Sequence, residues 1–248
     1  WVCRHGLSNN FYWTSTRNYP TDLDNLFYGK FNAATVTGIG RVRGNFNKNI
    51  LGWLVMDHGI SYDCQLLYYN NARLDSINCQ GPCETELGIA QKVNDSIFSQ
   101  LPNSNLILQN INDTNYIYYA PSISSDNLEL YYTRYLRDSI SISTNFEVCV
   151  AVRSSPTATF SVPMVLFSET IVNIIEEPTL TTDKQIMYYH KKVNGIHKIE
   201  MRYRKNQVSV KSIIESSTHL TIYPNPAKEK VTIQSESKKG SIKIYFWR

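Results

Sequence analysis

The chain is 248 residues long, enough for one large all-β domain or two small ones around a buried core. Charged residues make up only 19% and the net charge is +4. The basic residues are dispersed except at His190-Lys191-Lys192 and Arg202-Tyr203-Arg204-Lys205, which read as solvated strand ends and not as the continuous basic face of a nucleic-acid partner.

No apolar run of about 18 residues occurs, so no membrane-spanning helix is expected, and 17 tyrosines with Ile and Val lean toward strands. The chain opens at Trp1 without an initiator Met, a basic n-region or an apolar h-region, which fits a removed signal peptide or a fragment. Residues 11–17 and 25–31 read as two strands. An apolar run at 52–56 precedes Ser61-Tyr62-Asp63, and 66–69 follows as a second strand, so the pair reads as a hairpin with Asp63 at its turn.

That stretch is written three times. Ser61-Tyr62-Asp63 with Tyr68-Tyr69 returns as Ser124-Ser125-Asp126 with Tyr131-Tyr132, and again as Thr181-Thr182-Asp183 with Tyr188-Tyr189. Asp suits the turn because its carboxylate accepts backbone N–H bonds from residues two further on. Each hairpin is expected to lead to a third strand (87–90, 146–152, 197–203) and a fourth (104–108, 160–167, 208–214). Four short strands per repeat is the pattern of a propeller blade. Placing Tyr12 on Tyr68 makes the first fifty residues the back half of an earlier blade. In each Tyr-Tyr pair, one ring is expected between blades and the other facing out.

Five cysteines leave at least one unpaired within the chain. Cys79 and Cys83 bracket a Gly-Pro turn and fit a short disulfide or two free loop thiols. A zinc site would need further ligands that are not nearby. Cys149 reads as a buried strand residue.

The stretches 120–126 and 177–183, with their following Tyr pairs, resemble the WD-like periplasmic propeller repeat of TolB-type proteins, usually Pro-x-hydrophobic-Ser-x-Asp-Gly. The resemblance covers about residues 11–215. It departs from the family where Gly follows Asp, because Cys64, Asn127 and Lys184 stand there. It implies an all-β chain, a β-propeller of four-stranded antiparallel blades: a partial blade at about 1–50 and full blades at about 51–110, 111–168 and 169–215. Residues 216–220 read as a linker. In the tail, Tyr223-Pro224-Asn225-Pro226-Ala227 followed by Val231-Thr232-Ile233 resembles the type A C-terminal sorting domain of the type IX secretion system, a small β-sandwich truncated here to 221–248. That resemblance implies export to the cell surface or medium and the secretion machinery as a partner.

Propeller ligands sit where inner strands open at the channel mouth, and the residues six before the repeated Asp lie there: Asp57, Ala120 and Glu177, with His58, Tyr119 and Glu176 beside them. Asp57 and Glu177 are weak candidates for a glycosidase pair, one carboxyl protonated and one ionised. The alternative is that they are blade-to-blade acceptors, in which case amidation should cost about 1–3 kcal/mol. The Asp motifs lack the later Gly and Trp of a sialidase box. No phosphate loop, His-Glu-x-x-His or nucleophile elbow occurs, so neither cofactor nor metal is expected. His190 and His197 flank Asn194-Gly195, a type I′ hairpin signal. The expected function is an exported binding or scaffold module for a protein or polysaccharide ligand. The competing expectations are a propeller glycoside hydrolase and a periplasmic partner of an envelope complex.

Overall fold

The computed structural model describes residues 9–32, 35–74, 81–137 and 140–204, together with four strands of the tail. The chain divides into two units, Trp1–Tyr203 and Arg204–Arg248.

The first unit is a succession of antiparallel meanders. Strands β1 (Asn10–Thr14), β2 (Leu26–Asn32) and β3 (Thr35–Arg41) form the first sheet. The second contains β4 (Trp53–Ile60), β5 (Leu66–Arg73), β6 (Glu84–Asn94) and β7 (Ile97–Gln100). The third contains β8 (Tyr116–Ile123), β9 (Glu129–Leu136), β10 (Asn145–Val152) and β11 (Met164–Thr170). The fourth contains β12 (Ile175–Leu180), β13 (Ile186–Val193) and β14 (Ile196–Tyr203). The leading strands β4, β8 and β12 pack successively on one another, which makes them the inner strands of a β-propeller array.

Side-chain alternation along the second strand of each sheet builds the core. Tyr68 lies with Tyr118 and Tyr132 between the second and third sheets, whereas Tyr69 lies with Tyr12, Phe46 and Phe98 between the first and second. Tyr131 meets Met187 and Tyr189 between the third and fourth sheets. Both rings of the first two pairs are therefore buried, one toward each neighbour, where one ring had been expected to face out. The reason is that these sheets are covered on both faces. Each such aromatic contributes about 1.5–3 kcal/mol by leaving water. Tyr12, Tyr68 and Tyr131 are 0%, 1% and 3% exposed, but their counterpart Tyr188 is 41% exposed.

The three inner hairpins close with one turn. Cys64, Asn127 and Lys184 all adopt left-handed φ near 60°, and each donates its N–H to the carbonyl of Ser61, Ser124 or Thr181. The hydroxyls of Ser61, Ser124 and Thr181 donate to the carboxylates of Asp63, Asp126 and Asp183 at 2.5–2.6 Å. The same hydroxyls accept the N–H of Leu66, Glu129 and Ile186. Each carboxylate also accepts the N–H two residues on, from Gln65, Leu128 or Gln185. Glycine is dispensable here because the hydroxyl and carboxylate hold the backbone from both sides.

The fourth strands differ from expectation. In the second sheet the strand is Ile97–Gln100, while Ser104–Ile107 is a helical turn. Asn94 caps a tight loop by accepting the Ser96 N–H, so β6 turns back early, and Ile107 and Leu108 drop into the core instead. In the third sheet the strand starts at Met164, later than 160, and Phe160 is a buried core residue. The stretch assigned to a fourth strand at 208–214 belongs to the tail unit. There β15 (Gln207–Val210), β16 (Leu220–Tyr223), β17 (Thr232–Ser235) and β18 (Ile244–Trp247) pair as β15 with β18 and β16 with β17. The boundary consequently falls at Arg204, ahead of the 216–220 linker read from composition.

Cys83 is disulfide-bonded, while Cys79 lies outside the described residues. Cys64 is also disulfide-bonded, although nothing in its spacing singled it out. Cys149 is a buried free thiol. Structural disulfides fit an oxidising compartment.

Candidate functional site at the mouth of the inner strands

The inner strands β8 and β12 carry bulges at a residue followed by proline. Register runs from Tyr119 opposite Thr133 to Ser122 opposite Tyr131, and from Glu176 opposite His190 to Thr179 opposite Tyr188. Ala120 and Glu177 take left-handed φ of 54° and 58° there. Pro121 and Pro178 have no N–H to give a ladder, so the strand steps out of register and turns the preceding residue away from the sheet. In β4 the irregularity lies between Val55 and Asp57, without proline. Close approach of β4 to β8 is possible because residue 59 is Gly: a Cβ there would sit 2.4 Å from the Pro121 carbonyl oxygen.

Neighbouring sheets are stitched at one repeated position, two residues after the first Tyr. Thr14 Oγ1 donates to the Met56 carbonyl at 3.3 Å, Asn70 Nδ2 donates to the Tyr118 carbonyl at 2.7 Å, and Thr133 Oγ1 accepts the Glu177 N–H at 3.2 Å. These bonds hold the inner strands in fixed relation.

One pocket of about 320 Å³ results, lined by Phe11–Thr14, Asp57, His58, Ala120, Pro121 and residues 177–179. The structure thus brings Asp57, His58 and Glu177 together. Tyr119 and Glu176 are not in the lining; they form a pair in which the Tyr119 hydroxyl donates to Glu176 Oε2 at 3.0 Å. Asp63, Asp126 and Asp183 are engaged in their own turns, and Asp126 also receives Lys184 Nζ at 2.6 Å. Sequence reasoning missed the wall formed by Phe11, Trp13 and Thr14. The available signal was the aromatic strand Phe11-Tyr12-Trp13, had it been followed across to the next inner strand.

Burial, then the nearby Glu177 and Glu176 charges, push the Asp57 carboxyl up to about 7, although the Ala120 backbone pulls the other way. Burial also raises Glu177, offset by His190 and His197 and reinforced by Glu176. His190 Nδ1 stands 2.9 Å from Glu177 Oε2. Asn194 and Gly195, both with positive φ, turn the chain between β13 and β14 in the manner of a type I′ hairpin and bring His190 and His197 toward that carboxyl. Burial drives His58 down to about 3, so its ring is neutral, with one nitrogen bonded to the Tyr12 backbone and Nε2 unpartnered. Among the described residues no group of three or more His, Cys, Asp or Glu is arranged to hold a metal ion. Chemically, the pocket offers two carboxyls that burial holds above the ordinary carboxylate range, an imidazole acceptor and an aromatic wall.

Residues 221–246 match the secretion system C-terminal sorting domain family. This tail marks the chain for export through the type IX secretion system to the cell surface or the medium. Tyr223 lies on β16, and Pro224, Asn225, Pro226 and Ala227 lie outside the described residues. No curated protein matches the chain. Among solved structures, the chain is similar to one from a study of two prolyl endopeptidases, at 11% identity and a TM-score of 0.44, over 86% of this chain and 30% of that one. It is also similar to prolyl oligopeptidase B from Galerina marginata, at 11% identity and a TM-score of 0.41, over 79% of this chain and 29% of that one. A third similarity is to an alpha-L-arabinofuranosidase from Lactobacillus brevis, at 11% identity and a TM-score of 0.42, over 78% of this chain and 68% of that one. The chain spans about 30% of the length of the first two.

Proposed function

We propose that the exported propeller is a binding module of the WD-like TolB-type repeat, presenting its channel mouth to an extracellular protein or polysaccharide. The observation that carries this reading is the wall around Asp57 and Glu177, stitched from sheet to sheet by hydrogen bonds at one repeated position. A wall held this way makes a rigid, acidic cup, which favours recognition over turnover. The test pairs a turnover screen on aryl glycosides and polysaccharides with binding measurements on the same ligands. Binding weakened by Trp13→Ala, without turnover, is the expected outcome.

A second reading, a glycoside hydrolase, draws on Asp57 and Glu177 lining the same pocket with both carboxyls raised, the condition for splitting acid and base roles. General acid–base catalysis supplies about 10²–10⁴-fold in rate. Turnover abolished in Glu177→Gln at unchanged melting temperature would overturn the binding reading in favour of this one. The tail's partner is proposed to be the secretion machinery.

A further inference from the structure

Resting on the binding-module reading, we propose that the mouth pocket takes a cationic nitrogen, an ammonium or guanidinium group presented by a protein ligand, between Asp57, Glu177 and the Trp13 wall. The inventory of polar groups points there. Among the described residues no Lys or Arg lines the pocket. The Glu177 N–H goes to Thr133, and Pro121 and Pro178 have none. Thr14 gives its hydroxyl proton to the Met56 carbonyl. The carboxyls of Asp57 and Glu177 and the His58 ring are left as acceptors, beside two neutral donors, the Trp13 indole N–H and the Thr179 hydroxyl.

His58 adds an independent observation. It lies in the pocket wall at 7% exposure, and its Nε2 has no partner. With the other ring nitrogen bonded to the Tyr12 backbone and the ring neutral, Nε2 is a bare lone pair. A buried acceptor without a donor is unfavourable, so a group that brings N–H bonds is favoured beside it. Phe11 and Trp13 stack at 5.6 Å with an interplanar angle of 28° and supply an aromatic surface, the setting in which cations bind rings. At about 320 Å³ the pocket is at the small end for ligand sites, sized for a side chain. A neutral sugar would bring no charge to set against the Asp57 and Glu177 carboxylates.

The groups that set the pH dependence are Asp57 and His58 on β4, Tyr119 on β8, Glu176 and Glu177 on β12, His190 on β13 and His197 on β14. Acidification neutralises the Asp57 and Glu177 carboxyls and so removes their attraction for a cation.

Calorimetric titration of the full chain at pH 8 tests the proposal with Nα-acetyl-lysine methylamide, its Nε-acetylated form, agmatine, n-butylamine, a lysine-bearing peptide and cellotetraose. The expected result is binding of the charged probes at least tenfold tighter than the acetylated one, and at least fivefold weaker in Glu177→Gln, whose side chain is half-exposed and whose fold is checked by melting. Affinity should fall about tenfold between pH 8 and pH 5. The peptide should bind more tightly than n-butylamine; equal affinity would overturn the assignment to a protein ligand. Preference for cellotetraose, indifference to acetylation, or no binding of any probe would overturn the proposal. Glycoside turnover lost in Glu177→Gln would instead overturn the binding-module reading beneath it.

Discussion

Replacing Asp57 by Asn should raise the melting temperature at pH 8. The carboxyl is pushed from its ordinary value near 4 to about 7, chiefly by burial and by Glu177. Three pH units correspond to about 4 kcal/mol, and the wetted edge that Asp57 keeps in the pocket reduces this to about 2–3 kcal/mol. The sign follows from proton uptake. Between pH 4 and pH 7 the folded state holds a proton that the unfolded state has released, so stability falls as pH rises through that window. Above it, the burden of the buried charge is fully present. Asparagine keeps the shape and an acceptor oxygen of the side chain but carries no charge for burial and Glu177 to penalise. For a unit of this size each kcal/mol moves the midpoint by about 2–4 °C, giving a rise of about 4–12 °C at pH 8 that disappears by pH 4. Thermal melts of the wild-type protein and Asp57→Asn at pH 4, 6 and 8 measure it. A variant that melts lower at pH 8, or a gap independent of pH, would refute the reasoning.

Ser124→Ala removes the donor to Asp126 and the acceptor of the Glu129 N–H at a residue 1% exposed, and should cost about 1–3 kcal/mol in urea unfolding; a neutral result would mean that the turn is not held by its hydroxyl. Against a burial effect that pushes it up, Lys184, Ser124 and the Leu128 N–H hold the Asp126 carboxyl down to about 2. A depressed carboxyl stabilises above its unfolded value and loses that contribution as pH falls, so the difference between wild type and Asp126→Asn should close between about pH 4 and pH 2, and a constant difference would contradict this. Gly59→Ala drives a Cβ against the Pro121 carbonyl oxygen and should destabilise by about 1–3 kcal/mol or more, read as an earlier urea midpoint at unchanged slope; wild-type stability would show that β4 and β8 are free to separate.

The repeat was legible in the chain because its chemistry is local. A hydroxyl, an Asp two residues later and a strand beginning three residues after that satisfy one another within six residues, so the three turns could be placed from spacing alone. The Tyr pairs were legible as a period-2 signal, but their fate was not. Whether the first ring faces solvent depends on whether a sheet packs against it, and Tyr68 and Tyr131 are covered where Tyr188 is not.

Strand ends followed the same division. Asn94 turns β6 back early and a helical turn carries Ile107 and Leu108 inward, choices made by which apolar side chains find a core. The tail motif by itself marked the chain for export. Only tertiary structure decided that Asp57, His58 and Glu177 share one pocket while Glu176 turns to Tyr119, and only it set the sign of the Asp57 charge. A hydrogen bond between near neighbours in sequence needs only the right residues at the right spacing, whereas desolvation and repulsion between distant carboxyls depend on what the fold brings around them.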